Sequence, residues 1–412
     1  MKIKGDKKIS LDCLLACIYF VCLPFTVVTT PFGSLLKLVT FPVVLILSLR
    51  ILMGKSELTF NYIHFFYGIY ILYTVGLLTV YAEDITVTTT KDMVLGALML
   101  LLITIRVYNS REKHLMETAW ILVGVICVYA CLTSKEVVSQ SESRTVIKIF
   151  GFEEDQNQFC AYLIMPILIS VKRIIKKEKF WYAYIVLIAL SFYAILKTGS
   201  RGGLIGIFIG LLIYVLIGIK SLKIRLSLVI ATVFSVLIFY TAVMPTLPED
   251  VRERYTVSSV KSDGGSGRFE IWQFLTDYTM QRPERLIRGS GIFSTYSIMY
   301  SAGFSNGVAH NAYIQILNDE GIIGLLLFLA VIVLCIARNY NKDPVYMAGM
   351  TALLAFSMSL TFYVFKPYLN IMMMCALSFY GTLPQDRFLA KRKLENASCT
   401  DENDYKGGFE ND

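Results

Sequence analysis

The sequence predicts an all-α, polytopic membrane protein of about twelve transmembrane helices with a large structured extracytoplasmic loop. Three observations lead there. The 412-residue chain is 55% hydrophobic and only 17% charged, with a mean hydropathy of +0.59; a soluble domain carries about a quarter charged residues. Apolar runs of about 18–20 residues recur along it, each long enough to cross roughly 30 Å of hydrocarbon as a helix. The runs are continuous instead of alternating, which excludes a transmembrane β-barrel.

The chain opens with "MKIKGDKKISLDCLLACIYF", a basic start followed by an apolar stretch. No small-residue cleavage site follows, and another apolar run comes soon after, so this is expected to be an uncleaved first helix. The candidate spans are 11–30, 34–53, 62–81, 91–108, 117–134, 158–175, 180–197, 202–219, 224–244, 321–338, 344–363 and 367–383. Their connections alternate in charge. "RILMGKSE", "RVYNSREKH", "KRIIKKEK", "KSLKIR", "RNYNK" and "DRFLAKRK" are basic and fall on every second connection, as cytoplasmic loops do. "TTPFG" and "YAEDITV", on the other side, are neutral or acidic. Both termini are therefore expected in the cytoplasm. The predicted division is a transmembrane domain over 1–394 and a polar, disordered cytoplasmic tail over 395–412.

Two outer loops are long, about 135–157 and about 245–320. The second contains "RFEIWQFLTDYTM", with apolar and aromatic residues at helical spacing, so it is expected to fold against the outer face of the membrane. The nine cysteines form no C-x-x-C pair and read as small apolar filler. The net charge of +8 needs no nucleic acid, because basic clusters at span ends orient a membrane protein. There is no G-x-x-x-x-G-K-[ST] phosphate loop. No metal constellation is read, since a lone histidine with no Cys or carboxylate at ligand spacing does not hold zinc, and no cofactor is expected.

The turn "LKTGSRGGL" puts Lys197 and Arg201 between two spans on the outer side, against the orientation rule. Ser200 precedes Arg201, and Gly202 and Gly203 follow it, where a new helix begins. Glycines let a ligand approach the backbone, and a helix start favours an anion. The other reading is an interfacial arginine reaching for lipid headgroups. Arg268 opens an amphipathic helix after "GGSG", a position where the dipole does not want a cation. A bound anion accounts for it, as does pairing with Glu270 or Asp277. Arg285 and Arg288 in "PERLIRGSGIFSTY" read first as a turn between packed helices. His310 alone of the three histidines lies on the outer side, in "AHNAYIQILNDEGIIGLLLFL". It can take a proton near neutral pH, which suits a general base, or it can be a hydrogen-bonded interfacial residue. Ile314 and Leu317 share its helical face, predicting a surface helix before the span that begins at Gly321 and Gly324.

Three of these pieces, in order, resemble the O-antigen ligase and O-antigen polymerase family of bacterial surface-polysaccharide assembly. They are "TGSRGGL" at 198–204, "SGRFEIW…GSGIFST" within 266–295, and "HNAYIQILNDEGIIG" at 310–324, with its His, ten residues, then Gly. The family-like core covers about 180–340. The resemblance implies a GT-C-like membrane fold in a bacterial plasma membrane, with the active site extracytoplasmic. It implies a glycan donor on undecaprenyl diphosphate, an acceptor glycan or glycolipid whose hydroxyl attacks the anomeric carbon, and no cofactor. Arg201 and Arg268 would neutralise the leaving diphosphate, and His310 would act as base. Lys197, Ser200, Asn311, Arg288 and Arg144 are candidate substrate-binding residues, with Asn311 orienting the acceptor. A chain-length regulator is a possible further partner.

The same groups serve a polymerase, which moves the growing chain onto the next lipid-linked repeat unit, and a ligase, which moves a finished chain to lipid A-core or another terminal acceptor. Two basic outer loops, the first bearing Arg144 and Lys148, favour the polymerase. A secondary transporter or a glycolipid flippase shares the twelve-span plan, but either would be expected to place ionisable residues deep in its spans. No acidic residue is read deep in any span, apart from cases at the span boundaries.

Overall fold

The computed structural model describes residues 8–81, 84–134, 146–238, 241–242, 244–246, 252, 267–305, 307–361 and 366–380. Arg144 and the tail 395–412 lie outside the described residues. The first part of the bundle comprises α1 (Leu11–Val21), α2 (Leu35–Leu52), α3 (Tyr62–Leu77), α4 (Asp84–Thr104) and α5 (Ser110–Thr133). Then come α6 (Gln156–Ile175), α7 (Trp181–Lys197), α8 (Arg201–Ile213) and α9 (Leu222–Ile238). The predicted outer loop folds, over its described residues, into α10 (Arg268–Met280), α11 (Pro283–Arg288) and α12 (Thr295–Ser301). The chain returns through α13 (Ala312–Asn339), α14 (Pro344–Phe356) and α15 (Lys366–Ala376).

Each predicted span contains a helix, but the count of twelve is not reached by helices of spanning length. Among the described residues six are long and apolar enough to cross a membrane: Leu35–Leu52, Thr86–Thr104, Ser110–Thr133, Gln156–Ile175, Arg201–Gly218 and Ala312–Asn339. Leu11–Val21, Tyr62–Leu77, Trp181–Lys197 and Pro344–Phe356 are shorter apolar helices. The shortfall has local causes. The first run breaks at Leu23–Thr26, where Pro24 sits in a 3-10 turn. The run predicted over 344–363 stops at Phe356. The last helix ends at Ala376, and Ser378–Phe379 is extended.

Polar contacts define one end of the bundle. Asp12 pairs with both Arg50 and Arg106, and Arg106 Nη2 donates to Leu47 O at 2.7 Å. Glu112 accepts from Ser10 N and Asn109 N, both at 2.8 Å. Lys172 pairs with Glu117 at 2.5 Å, Tyr346 Oη donates to the same carboxylate at 2.8 Å, and Lys113 pairs with Asp343. The short strand Val107–Tyr108 pairs in parallel with Ser378–Phe379. The basic connections thus gather at one pole, and the described chain starts and ends there.

The acidic residues at or just before the edges of two predicted spans, which begin at 117 and 321, are buried. Glu117 in α5 is 3% exposed, and Asp319 and Glu320 in α13 are both 0% exposed. In the structure each has hydrogen-bonding partners, as a buried carboxylate requires: Lys172 and Tyr346 for Glu117, Thr295 for Asp319 and Tyr70 for Glu320.

Helix α8 lies against α14 more closely than a side chain permits. A Cβ on Gly206 would stand 2.8 Å from Phe356 Cβ, and one on Gly210 2.6 Å from Ala352 Cβ. Spaced four apart, these glycines form one small-residue face that lets two helices touch by their backbones.

At the opposite pole, β1 (Ile147–Ile149) and β2 (Phe152–Glu154) form a hairpin leading into α6. Glu154 is 4% exposed; Oε1 accepts from Asp155 N at 3.0 Å. Burial, aided by the Asp155 charge, pushes its carboxyl up to about 8. The folded chain therefore holds a proton that the unfolded chain loses near the ordinary glutamate value of about 4.3. Stability from this group is fully present below that value and is lost as pH rises through about 8. Glu154→Gln should gain on the wild type by a few kcal/mol between pH 5 and pH 9. Thermal unfolding of the two proteins at both pH values measures this, and parallel shifts would contradict it.

Candidate functional site

The turn between α7 and α8 is built by its own side chains. Gly199 takes φ 66°, the left-handed conformation that ends α7. Thr198 Oγ1 accepts from Ser200 N at 3.2 Å. Ser200 is the N-cap of α8, accepting from Gly203 N at 3.1 Å and donating to Asn157 Oδ1 at 2.7 Å. Asn157 itself is held at the start of α6 by Asp155, whose Oδ1 accepts from Asn157 N and Gln158 N at 2.9 Å each. One amide at the start of α8 is thereby taken by Ser200. Lys197, Thr198 and Ser200 are buried, and Arg201 is half-buried as the first residue of α8.

A short segment after α14 joins this turn to the histidine. A Cβ on Gly202 would stand 1.9 Å from Ser359 Oγ, so the residue beside Arg201 lies directly on Ser359. Two residues earlier, Ser357 O accepts from Ala312 N at 2.8 Å. Two residues later, Thr361 Oγ1 donates to Gln315 Oε1 at 2.8 Å. Gln315 Oε1 also accepts from Ala309 N at 3.1 Å. The start of α8 and the loop carrying His310 therefore flank one stretch, Ser357–Thr361.

His310 has φ 51°, left-handed and uncommon for a non-glycine residue. Such strain persists only where surroundings impose it. Here Gln315 holds the loop from one side and Trp272 from the other, its Nε1 donating to Ala309 O at 2.8 Å. Trp272 lies one turn along α10 from Arg268, on the same helical face. This indole bond brings the start of α10 to the histidine loop. Behind it, Ile271, Leu275, Met299 and Ala309 form a small separate core.

Arg201, Arg268 and His310 thus lie on three segments that meet at the pole opposite the ion pairs. Lys197 and Ser200 belong to the same turn as Arg201. Asn311 is buried as the N-cap of α13, its Oδ1 accepting from Tyr313 N at 3.0 Å and Ile314 N at 3.2 Å. Its carbonyl oxygen is therefore committed to capping. Arg288 lies elsewhere: it ends α11 with its guanidinium 6.0 Å from the Tyr81 ring, beside Gly321. Gly321 breaks α13 at φ 69°, ψ −171°. The half-helix 312–320 separates Arg288 from His310 by about 13 Å, at 1.5 Å per residue.

That half-helix carries what sequence reasoning missed. Asp319 Oδ1 accepts from Thr295 N at 2.8 Å and Thr295 Oγ1 at 2.6 Å. Asn318 Oδ1 accepts from Thr279 Oγ1 at 3.0 Å, and its Nδ2 donates to Thr295 Oγ1 at 2.8 Å. Glu320 Oε1 accepts from Tyr70 Oη at 2.9 Å. The run "QILNDE", polar residues between apolar ones just before Gly321, is the signal that could have exposed these anchors.

Residues 185–329 match the family model described as O-antigen ligase. No curated protein matches the chain. Among solved structures, it is similar to a chain from work described as structural coordination of polymerization and crosslinking by a peptidoglycan synthase complex. The identity there is 17% and the TM-score 0.44, over 76% of this chain and 94% of that one. A score at that level carries no argument.

Proposed function

We propose that this membrane protein, whose residues 185–329 match the O-antigen ligase family model, polymerises lipid-linked oligosaccharide repeat units for a capsule, O-antigen or exopolysaccharide. The donor is a glycan on undecaprenyl diphosphate, used without a metal at the outer leaflet of the bacterial plasma membrane. The observation that supports this reading is that the segments carrying Arg201 and His310 flank Ser357–Thr361, while the Trp272–Ala309 bond joins the helix of Arg268 to the histidine loop.

In this reading the two guanidinium forks hold the diphosphate with charge-assisted hydrogen bonds, which strengthen as the leaving oxygen gains charge. His310 accepts the proton of the acceptor hydroxyl as the oxygen attacks the anomeric carbon. The new C–O bond forms while the bond from the anomeric carbon to the diphosphate breaks, and the lipid diphosphate departs. Gln315 and Trp272 act on the reaction only by positioning the histidine loop.

Deletion of the gene in its host tests the reading. Single repeat units should then accumulate on the lipid or cap the surface acceptor, as seen on gels and by mass spectrometry. Long chains retained on undecaprenyl diphosphate would instead identify a ligase that delivers finished glycan to a terminal acceptor. A normal glycan pattern would refute both.

A further inference from the structure

Beside the histidine loop stands an uncharged, aromatic surface that the proposed transfer does not use. Residues 291–309 contain no Asp, Glu, Lys, Arg or His. Within them α12 is locked on one side, where Thr295 is bound by Asp319 and Met299 is 0% exposed. Its other side presents Tyr296 and Tyr300, 40% and 47% exposed, which the i to i+4 spacing sets one above the other. Their ring centroids are 4.7 Å apart with the planes inclined at 64°. Phe293 stacks against Tyr296 at 6.1 Å and 16° and, like His310, has a left-handed backbone, φ 60°.

This surface is tied to the site by Gly307. A Cβ there would stand 2.3 Å from the Tyr296 ring and 2.8 Å from that of Tyr300. The backbone of the loop therefore lies flat on both tyrosines three residues before His310.

The chemistry of the surface narrows its occupant. With no cation of its own, the stretch 291–309 offers a diphosphate or a phospholipid headgroup no charged partner. Nor does it suit hydrocarbon: residues 302–305 are non-helical, with Ser297 and Ser301 before them and Ser305 at their end, and exposed irregular backbone is not tolerated in lipid. What fits is a neutral ligand with a flat C–H face and a rim of hydroxyls. A pyranose ring has both, the face lying on an aromatic ring and the rim meeting tyrosine hydroxyls and water.

We propose that Tyr296 and Tyr300, backed by Phe293, form a stacking platform for sugar rings of the glycan that enters or leaves the Arg201–Arg268–His310 site. The proposal rests on the glycosyl-transfer reading above and names where that reaction grips the carbohydrate itself.

The test uses the full chain in nanodiscs and, as probe, lipid-free oligosaccharides released from the host's own surface polysaccharide. Binding is read by saturation-transfer NMR. Wild type should bind. Tyr296→Ala/Tyr300→Ala should weaken binding on the order of tenfold or more, the worth of aromatic stacking. Tyr296→Phe/Tyr300→Phe should keep most of it. Tyr300→Leu, which preserves apolar bulk without a ring, should weaken binding and guards against misfolding of the alanine pair. No binding by wild type, or binding by the alanine and leucine variants equal to that of wild type, overturns the platform. The two ideas fail separately. If Arg201→Ala makes normal glycan while the tyrosines still govern binding, the transfer assignment falls and the platform stands. If Arg201→Ala is inactive and the tyrosine variants bind as wild type, the reverse holds.

Discussion

His310→Ala, expressed at wild-type level in the host, is expected to reduce glycan transfer by about 10²–10⁴-fold, the range for loss of a general base. Arg201→Ala should do as much, since it removes charge stabilisation at the leaving group. The informative variant is Arg201→Lys. It keeps the charge but loses the planar fork that grips two oxygens at once, so little of the activity should return. Neither site should matter to folding to the same degree: Arg201 is half-buried at a helix start, and Gln315 and Trp272 hold the histidine loop by bonds to Ala309. The check is surface glycan on gels, normalised to protein level and to the unfolding temperature of the purified variants. Full restoration of glycan by both alanine variants would sink the catalytic assignment.

Gly289→Ala and Gly321→Ala should be the most damaging substitutions to the fold. The two glycines have φ of 77° and 69°, and each faces the other segment's backbone. A Cβ on Gly289 would stand 2.3 Å from Asp319 O, and one on Gly321 2.3 Å from Ile287 O. Backbone cannot swing aside as a side chain can, and this contact is fixed by Ser290 N donating to Asn318 O at 2.9 Å and Gly291 N to Asp319 O at 2.8 Å. Strain and overpacking together should cost about 2–5 kcal/mol. Gly303→Ala supplies the control. That glycine also has positive φ, 86°, but nothing lies within 4 Å of its Cβ position. It should cost only the conformational term, about 1–2 kcal/mol. Folded yield and unfolding temperature decide the matter, and equal effects at Gly303 and Gly321 would refute the packing argument.

How far the sequence foretold this molecule depends on the range of the signal. Apolar runs located the helices because hydropathy is summed over many neighbours. Their ends were lost where one residue decides, as at Pro24 and Phe356. The half-helix after His310 and its break at Gly321 were legible, because Ile314, Leu317 and the glycine stand in one short stretch. The joints that assemble the site were not. Trp272 reaches Ala309 across 37 positions and Thr361 reaches Gln315 across 46; no periodicity marks a bond of that separation. Arg288 was a candidate substrate-binding residue, and the Gly289 and Gly321 contacts set its backbone at the far end of the half-helix.

The cluster formed by Lys113, Glu117, Lys172, Asp343 and Tyr346 has a consequence for work cycles. It joins α5, α6 and the start of α14 at the pole away from the histidine. A carrier whose opening at this pole ran between these helices would have to prise them apart on every turnover. Separating buried partners leaves uncompensated charge, at about 3–5 kcal/mol for each pair broken. Such a machine would need a driving ion gradient to repay that cost. A protein that works from one pole only leaves the cluster shut as a fixed floor, and its turnover draws on no more than the group-transfer potential of its own substrate.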